Sequence, residues 1–437
     1  MFNKRIGLLA LGIISASQAM AQGQADSKGF IDDSHLTINL RNAYINRDYK
    51  NRQQDKAEWG QAFIGNFTSG FTQGTVGVGV DAFGLYGIRL DGGKGRSGAG
   101  GIDFFKQGSP DADGTNGSAA NDLSRAGAAV KFRVSNTVLK YGDQMPQLPV
   151  LSYDNSRLLP ESYTGTMITS KEIEGLELVA GRFTQEARKS AEGRDSGDLK
   201  SINVFGGSYK FTDAFSAAAY ASDNEDVFKK QYLNLNYVFA LPQDQSLTLD
   251  FNGYKTKLDK DYSAAAAAGA RDNKIWSLAA TWAVGIHSFT LAHQRSTGET
   301  GYNYGGYQAG QFNNRGFGDG GNTIYLANSY WSDFNGKDER SWQVAYGVDL
   351  SSLITPGLSY KTAYVRGDNI DDGTPGSGNG TEREFFNQVT YVVQGGPAKD
   401  LSVRLRSSIL RVSADAQGYN SEGNEVRVFV DYPINVF

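Results

Sequence analysis

The chain has no cysteine, and its 437 residues include only 3 histidines, 4 methionines and 9 prolines. Without thiols it can build neither a disulfide framework nor a zinc–thiolate centre. His287 and His293 lie near opposite ends of one predicted strand and cannot converge on a metal, so an interfacial position is expected for both; His35 stands apart. After residue 21 no run of roughly eighteen apolar residues occurs, which leaves no segment for a transmembrane helix. There is no G-x-S-x-G elbow, and a hydrolase would need histidine within reach of a nucleophile, so neither enzymatic chemistry nor a cofactor is expected. A formal net charge of −4 argues against a nucleic-acid partner.

The residues present point to strands and turns. Glycine numbers 54, tyrosine 23 and phenylalanine 24. The first residues read as an export signal: Lys4 and Arg5 form a basic start, an apolar stretch runs from Ile6 to Ile14, and Ala19-Met20-Ala21 is a cleavage site. Cleavage after Ala21 would take the net charge from −4 to −6. The expected organisation is a signal peptide, 1–21, and one unit, 22–437. With a mean hydropathy of −0.43, a soluble exported protein and a transmembrane β-barrel both remain, because only alternate residues of a barrel strand meet lipid.

Strict alternation recurs along the mature chain. Leu36, Ile38 and Leu40 interleave with Thr37, Asn39 and Arg41, while Trp342, Val344, Tyr346 and Val348 interleave with Gln343, Ala345 and Gly347. Strands are predicted at 35–46, 58–69, 73–91, 126–134, 137–142, 163–171, 175–184, 199–210, 213–222, 230–240, 246–257, 274–283, 287–296, 341–349, 357–366, 383–394, 401–412 and 424–433. Short links alternate with long ones, as in an outer-membrane barrel with tight periplasmic turns and long outer loops, and an even count returns both termini to the periplasm. The final strand ends in Phe437, an aromatic terminus of the kind read by the outer-membrane assembly machinery. The run from Ala264 to Ala268 reads as flexible low-complexity loop.

If the apolar faces meet lipid, the interleaved residues line a lumen. By parity these include Arg41, Arg89, Lys131, Arg133, Lys361, Arg404, Arg406 and Arg427. Guanidinium groups in a narrow passage offer bidentate partners to carboxylates; Asp81 and Asp431 are the acids expected to pair with some of them. Gly93-Lys94-Gly95-Arg96-Ser97-Gly98 matches a dinucleotide fingerprint but no helix follows it, and Asp111-Ala112-Asp113-Gly114 lacks the later glutamate of a calcium loop.

Longer motifs add a resemblance. Lys28-Gly29-Phe30-Ile31-Asp32-Asp33-Ser34, Pro149-Val150-Leu151, Ser156-Arg157-Leu158-Leu159-Pro160, Leu326-Ala327-Asn328-Ser329 and Val430-Asp431-Tyr432-Pro433 make the chain resemble the OprD porins, substrate-specific carboxylate channels of pseudomonads, over nearly its whole mature length. The resemblance implies an all-β, eighteen-stranded transmembrane antiparallel barrel in the bacterial outer membrane. Inward-folded loops would narrow it, and a basic ladder would run down one wall. It places the constriction in loop 143–162, with Arg157 and nearby Tyr153 and Tyr163, and in loop 297–340, with Tyr302, Tyr304, Tyr307 and Asp319. Asn322 stands where a basic-amino-acid channel would be expected to carry an acid, which favours simple carboxylates, including aromatic acids such as benzoate, nicotinate or vanillate. The implied partners are small anionic or zwitterionic carboxylates, outer-membrane lipid and lipopolysaccharide, and the state a monomer or loose homotrimer. A basic-amino-acid or small-peptide channel is the alternative within the class; a secreted soluble all-β binding or adhesion module lies outside it.

Overall fold

The computed structural model describes residues 23–50, 54–91, 102–106, 119–194, 199–302, 324–373 and 378–437. The export signal, the stretches 93–98 and 111–114, Tyr304, Tyr307, Asp319 and Asn322 lie outside the described residues.

Eighteen strands form one closed antiparallel sheet. In chain order the strands are β1 (His35–Tyr49), β2 (Lys56–Thr68), β3 (Gly77–Asp91), β4 (Asp122–Val134), β5 (Thr137–Gln144), β6 (Gln147–Leu148), β7 (Leu151–Ser152), β8 (Ser162–Ser170), β9 (Leu176–Ala187) and β10 (Ile202–Lys210). They continue as β11 (Phe215–Asn224), β12 (Phe228–Leu241), β13 (Gln245–Leu258), β14 (Asp272–Val284), β15 (His287–Gly298), β16 (Arg340–Asp349), β17 (Leu358–Ile370), β18 (Gly380–Val392), β19 (Ser402–Val412) and β20 (Gly423–Asn435). β6 and β7 pair only with each other, as a small hairpin inside a loop. All eighteen predicted strands occur, with displaced ends: β3 starts at Gly77 rather than 73, β4 at Asp122 rather than 126, and β1 runs to Tyr49 rather than 46.

The alternating pattern decides which face meets lipid. On β12, Leu233, Leu235, Tyr237, Phe239 and Leu241 are exposed on the outer surface, while Tyr232, Asn234 and Asn236 turn inward. Aromatic groups gather toward both ends of β15 on the outside. His287 Nδ1 lies 2.7 Å from the Tyr346 hydroxyl, with Phe289 and Trp282 alongside; His293 lies 4.3 Å from the Trp342 ring and 5.5 Å from Trp276. Both histidines therefore lie within clusters of outward-facing aromatic rings, of the kind that girdle a barrel.

The ring closes between its first and last strands. β1 pairs with β2 on one side and β20 on the other, from Thr37↔Asn435 to Tyr49↔Gly423, and the Leu36 N–H donates to the Phe437 carbonyl (3.1 Å). The tight turns 135–136, 242–244 and 285–286 lie at this same end. The alternation of short and long links weakens where β11 and β12 extend so far that only 225–227 joins them, where 69–76 exceeds the outer link 50–55, and where 350–357 and 393–401 approach the length of the outer links that follow them.

One expectation needs correction. The alanine-rich stretch is not structureless: Lys260–Ala266 forms helix α1, whose start is capped by the Asp259 carboxylate accepting from the Asp261 N–H (2.9 Å). Alanine has the highest helix propensity, and an aspartate cap supplies the start signal.

Candidate functional site

Loop 145–161 crosses the interior and is fastened to both sides of it. Leu148, Val150 and Leu151 join an apolar cluster with Phe183, Tyr232 and Tyr254, whereas Leu158 and Leu159 join a second with Ile45, Ala62, Leu85, Phe104 and Phe105. The span 153–157 bridges the two. Its shape is set from within by buried acids: Asp154 accepts from the Ser156 N–H (2.6 Å) and from Lys189 Nζ (2.8 Å), and Glu161 accepts from the Asp154 N–H (2.9 Å). Burial alone would raise the Asp154 carboxyl, but the Lys189 ammonium, Arg157 and the Ser156 contact hold it well below the usual carboxylate range. Burial pushes Glu161 well above that range, and the Asp154 and Glu186 carboxylates add to the rise against Lys189.

Arginines on the wall hold the same loop by its carbonyls. Arg41 donates to Asn155 Oδ1 (2.8 Å) and to the Arg157 carbonyl (3.1 Å), and Arg125 donates to the Pro160 carbonyl. Arg157 itself bends away to the Ile102 carbonyl (2.8 Å). Tyr153 is half-buried beside the span, with its hydroxyl accepting from Gln147 (3.2 Å). Tyr163 is fully buried edge-on to Phe183 and supports the loop from beneath.

Arg125 has a second task. The β4–β5 ladder ends at Ala129↔Gly142, leaving the outer half of β4 without a partner on that side. There Arg125 donates to the Arg188 and Ala191 carbonyls of loop 188–201, while Asp143 accepts from the Ala128 N–H (3.3 Å), Thr164 (2.5 Å) and Arg194 (3.1 Å). The Asp143 carboxylate thus satisfies one N–H that the shortened ladder leaves open, at Ala128, and Arg125 fastens loop 188–201 beside it.

The second loop, 299–339, lies along the opposite wall in its described part. The Tyr325 N–H donates to the Tyr254 hydroxyl (3.2 Å), the Ala327 N–H to Ser277 (3.0 Å) and the Ser332 N–H to Glu384 (2.9 Å). Tyr302 is buried and accepts a hydrogen bond from Lys230 Nζ (2.9 Å). Glu339, at the end of the loop, is also buried; burial first and the neighbouring Glu382 carboxylate second push its carboxyl well above the usual range.

The eight lumenal cations predicted by parity all lie on the inward face, but their surroundings divide them. Arg41 pairs with Asp431 (2.7 Å), Arg427 with Glu425 (2.6 Å) and Lys131 with Asp81 (2.7 Å). Arg133 donates to Gln24 (2.9 Å) from the segment that precedes β1, and both it and Lys131 lie over the Phe71 ring. Arg89 bonds Asn121 at the outer rim. Lys361, Arg404 and Arg406 differ: among the described residues none of the three forms an ion pair. The register sets Lys361 opposite Gln388, Gln388 opposite Arg406 and Arg406 opposite Arg427, a row across four strands; Arg404 stands opposite Phe429 and is exposed to the lumen.

Sequence reasoning missed several lumenal groups. Arg125 and Arg47, which pairs with Glu425 (2.7 Å), fell outside because the predicted ends of their strands stopped one residue short. Correct strand ends would have found both by parity. Tyr330, 5.2 Å from Lys361 Nζ, carried no local signal, whereas Asp250 is legible as a lumenal acid from the alternation of Leu247, Leu249 and Phe251 with Thr248, Asp250 and Asn252, and it accepts from Asn234 (3.0 Å), Asn236 (2.9 Å) and Asn252 (2.5 Å) on the wall across from the row.

Residues 28–436 match the family described as outer membrane porin, OprD family. The chain is 42% identical to Porin D of Pseudomonas aeruginosa over 444 residues, spanning 97% of this chain and 95% of that protein. Among solved structures, Acinetobacter baumannii OccAB1 is similar with a TM-score of 0.85 and 37% identity, covering 95% of this chain and 99% of the other. Pseudomonas aeruginosa OpdK, solved with vanillate, is similar with a TM-score of 0.77 and 31% identity over 93% of this chain and all of the other.

Proposed function

Because the chain belongs to the OprD family of outer-membrane porins, which are channels rather than enzymes, we propose that it admits small carboxylate-bearing solutes passively and that Lys361, Arg404 and Arg406 read the carboxylate as it passes. The carrying observation is that, among the described residues, none of these three lumenal cations is in ion-pair contact with a carboxylate, Asp431 acting on Arg404, and Glu384 and Glu425 on Arg406, only from beyond contact distance. A neutralised cation attracts an anion weakly, whereas one facing a narrow, poorly screened passage attracts it strongly. Arg41, Arg89, Lys131, Arg133 and Arg427 extend the positive field, while their local partners fix loop, rim and mouth. Tyr153 and Arg157 lie on the span that bridges the two apolar clusters across the interior, where the Arg157 carbonyl is held by Arg41. Aromatic acids such as benzoate, nicotinate or vanillate are the favoured cargo; the OpdK structure with vanillate supports that choice by analogy. The solute gradient drives uptake, no cofactor takes part, the first 21 residues act as a cleaved export signal, and Phe437 marks the chain for outer-membrane assembly.

The test is reversal potential in planar bilayers under a salt gradient. Arg404→Gln combined with Arg406→Gln should lose anion preference and slow benzoate uptake while the barrel still folds. Unchanged potentials would remove the row from the mechanism.

Asp250 favours a second reading. Its carboxylate, steadied by three asparagine amides, could accept the ammonium of a basic amino acid or small peptide. Competition between arginine and benzoate in liposome swelling, repeated with Asp250→Asn, separates the two.

A further inference from the structure

We propose that Tyr330, Phe386 and Phe429 are positioning residues of this channel, each fixing one lumenal cation against its ring face without neutralising it. The inference rests on the reading of Lys361, Arg404 and Arg406 as the carboxylate-reading groups.

Two kinds of partner hold the lumenal cations. Arg41, Arg427 and Lys131 are oriented by a carboxylate within about 2.7 Å, which also cancels much of their field. The three cations without such a partner each lie over a ring. The Arg404 Cζ is 5.0 Å from the Phe429 centroid, the Arg406 Cζ is 4.8 Å from Phe386, and the Lys361 Nζ is 5.2 Å from Tyr330. A ring attracts a cation through its quadrupole, carries no net charge, and leaves the N–H groups on the guanidinium edge free to meet an anion.

The rings are themselves fixed. Phe386 and Phe429 are almost fully buried, and Phe429 belongs to the apolar cluster around Ile45 and Ala62. Tyr330 stacks on Phe386 with centroids 4.3 Å apart and an interplanar angle of 30°. Lys361 and Arg406 therefore share one two-ring platform, on either side of Gln388 in the register. Tyr330 comes from loop 299–339, where the N–H groups of its neighbours Trp331 and Ser332 donate to Glu384. Through this ring the loop sets the position of a wall cation. Phe429 has a double role: it also lies 5.7 Å from the Arg41 guanidinium, so one ring lies between an ion-paired arginine and one with no contact ion pair.

The experiment compares Phe386→Leu, Phe429→Leu and Tyr330→Leu with Phe386→Tyr and Phe429→Tyr in the full-length refolded barrel. Leucine keeps an apolar filling but lacks a π face; tyrosine restores one. Each leucine variant is expected to raise the half-saturating benzoate concentration roughly two- to fivefold and to shift the reversal potential toward cations, with high-salt conductance retained. The tyrosine variants should recover both values. Once Arg406→Gln is present, Phe386→Leu should add only the smaller effect that reaches Lys361 through Tyr330. Because a leucine variant could fail to fold, 3,5-difluorophenylalanine at position 386 provides a second measurement: it preserves shape and weakens the quadrupole, and should raise the same half-saturation. If the leucine and fluorinated forms bind benzoate as the natural protein does, while Arg404→Gln and Arg406→Gln bind it worse, the rings only fill space and the proposal falls. If the arginine variants themselves have no effect, the carboxylate-reading row fails first.

Discussion

Arg41 and Asp431 meet at 2.7 Å across the junction of β1 and β20, and the free arm of that guanidinium reaches into the lumen to hold the carbonyl of Arg157 at 3.1 Å. One side chain thus ties the closure of the barrel to the position of the loop that narrows it. Its charge is met by an ion pair, unlike that of Arg404, which stands on β19 beyond β20.

Arg41→Gln should therefore act on geometry more than on selectivity. Single-channel recordings are expected to show a larger, noisier conductance as the span 153–157 loosens, with a smaller change in reversal potential than Arg404→Gln produces. Equal selectivity losses in the two variants would contradict the division between anchoring and reading cations.

Lys189→Met leaves the Asp154 carboxylate buried without its ammonium, and breaking one side of a buried pair costs about 3–5 kcal/mol. The penalty should appear as local opening of loop 145–161, detected by faster proteolysis or hydrogen exchange there, with the strands still protected. Uniform loss of protection across the barrel would show that the pair supports the whole fold rather than the loop.

The loop should also have an acid and an alkaline limit. Asp154 titrates below its unfolded value, so its contribution is present above the ordinary carboxylate range and is lost as pH falls through its depressed value. Glu161 titrates above its unfolded value, so its contribution is complete at pH below the ordinary glutamate range and fades as pH rises through the elevated value. Current noise measured against pH should rise on both sides of a quiet interval, and Glu161→Gln should remove the alkaline rise.

Leu235→Arg places a charge on the lipid face of β12. An arginine near the bilayer midplane costs about 2–4 kcal/mol, so the folded fraction seen by heat-modifiable gel mobility should fall. Asn234→Arg, one residue along but lumenal, should fold well and change ion selectivity instead. Similar folding losses for both would mean that the two faces are misassigned.

The wall was largely legible in the sequence because period-two patterning and the lipid–water contrast are local, so parity alone placed eight cations on the inward face. It could not tell which would remain free, because Asp431 is 390 residues from Arg41 in sequence and is brought to it only by closure of the ring. Arg125 and Arg47 were lost at strand ends, where no turn residue marks the last pair. The loops were legible as constrictions only through resemblance, and Tyr330 could not be placed because the course of loop 299–339 is set by distant wall groups such as Ser277 and Glu384. The alanine stretch is helical because the Asp259 cap supplies a start signal that low-complexity composition does not reveal.

The pairing of β1 with β20 also bears on biosynthesis. The earliest strand waits for the latest, so every truncated product or stalled nascent polypeptide exposes two raw backbone margins, one at each side of the unfinished sheet. Sealing of the wall therefore waits on the last segment to be synthesised, and a chain that lacks it keeps a gap that no other strand fills.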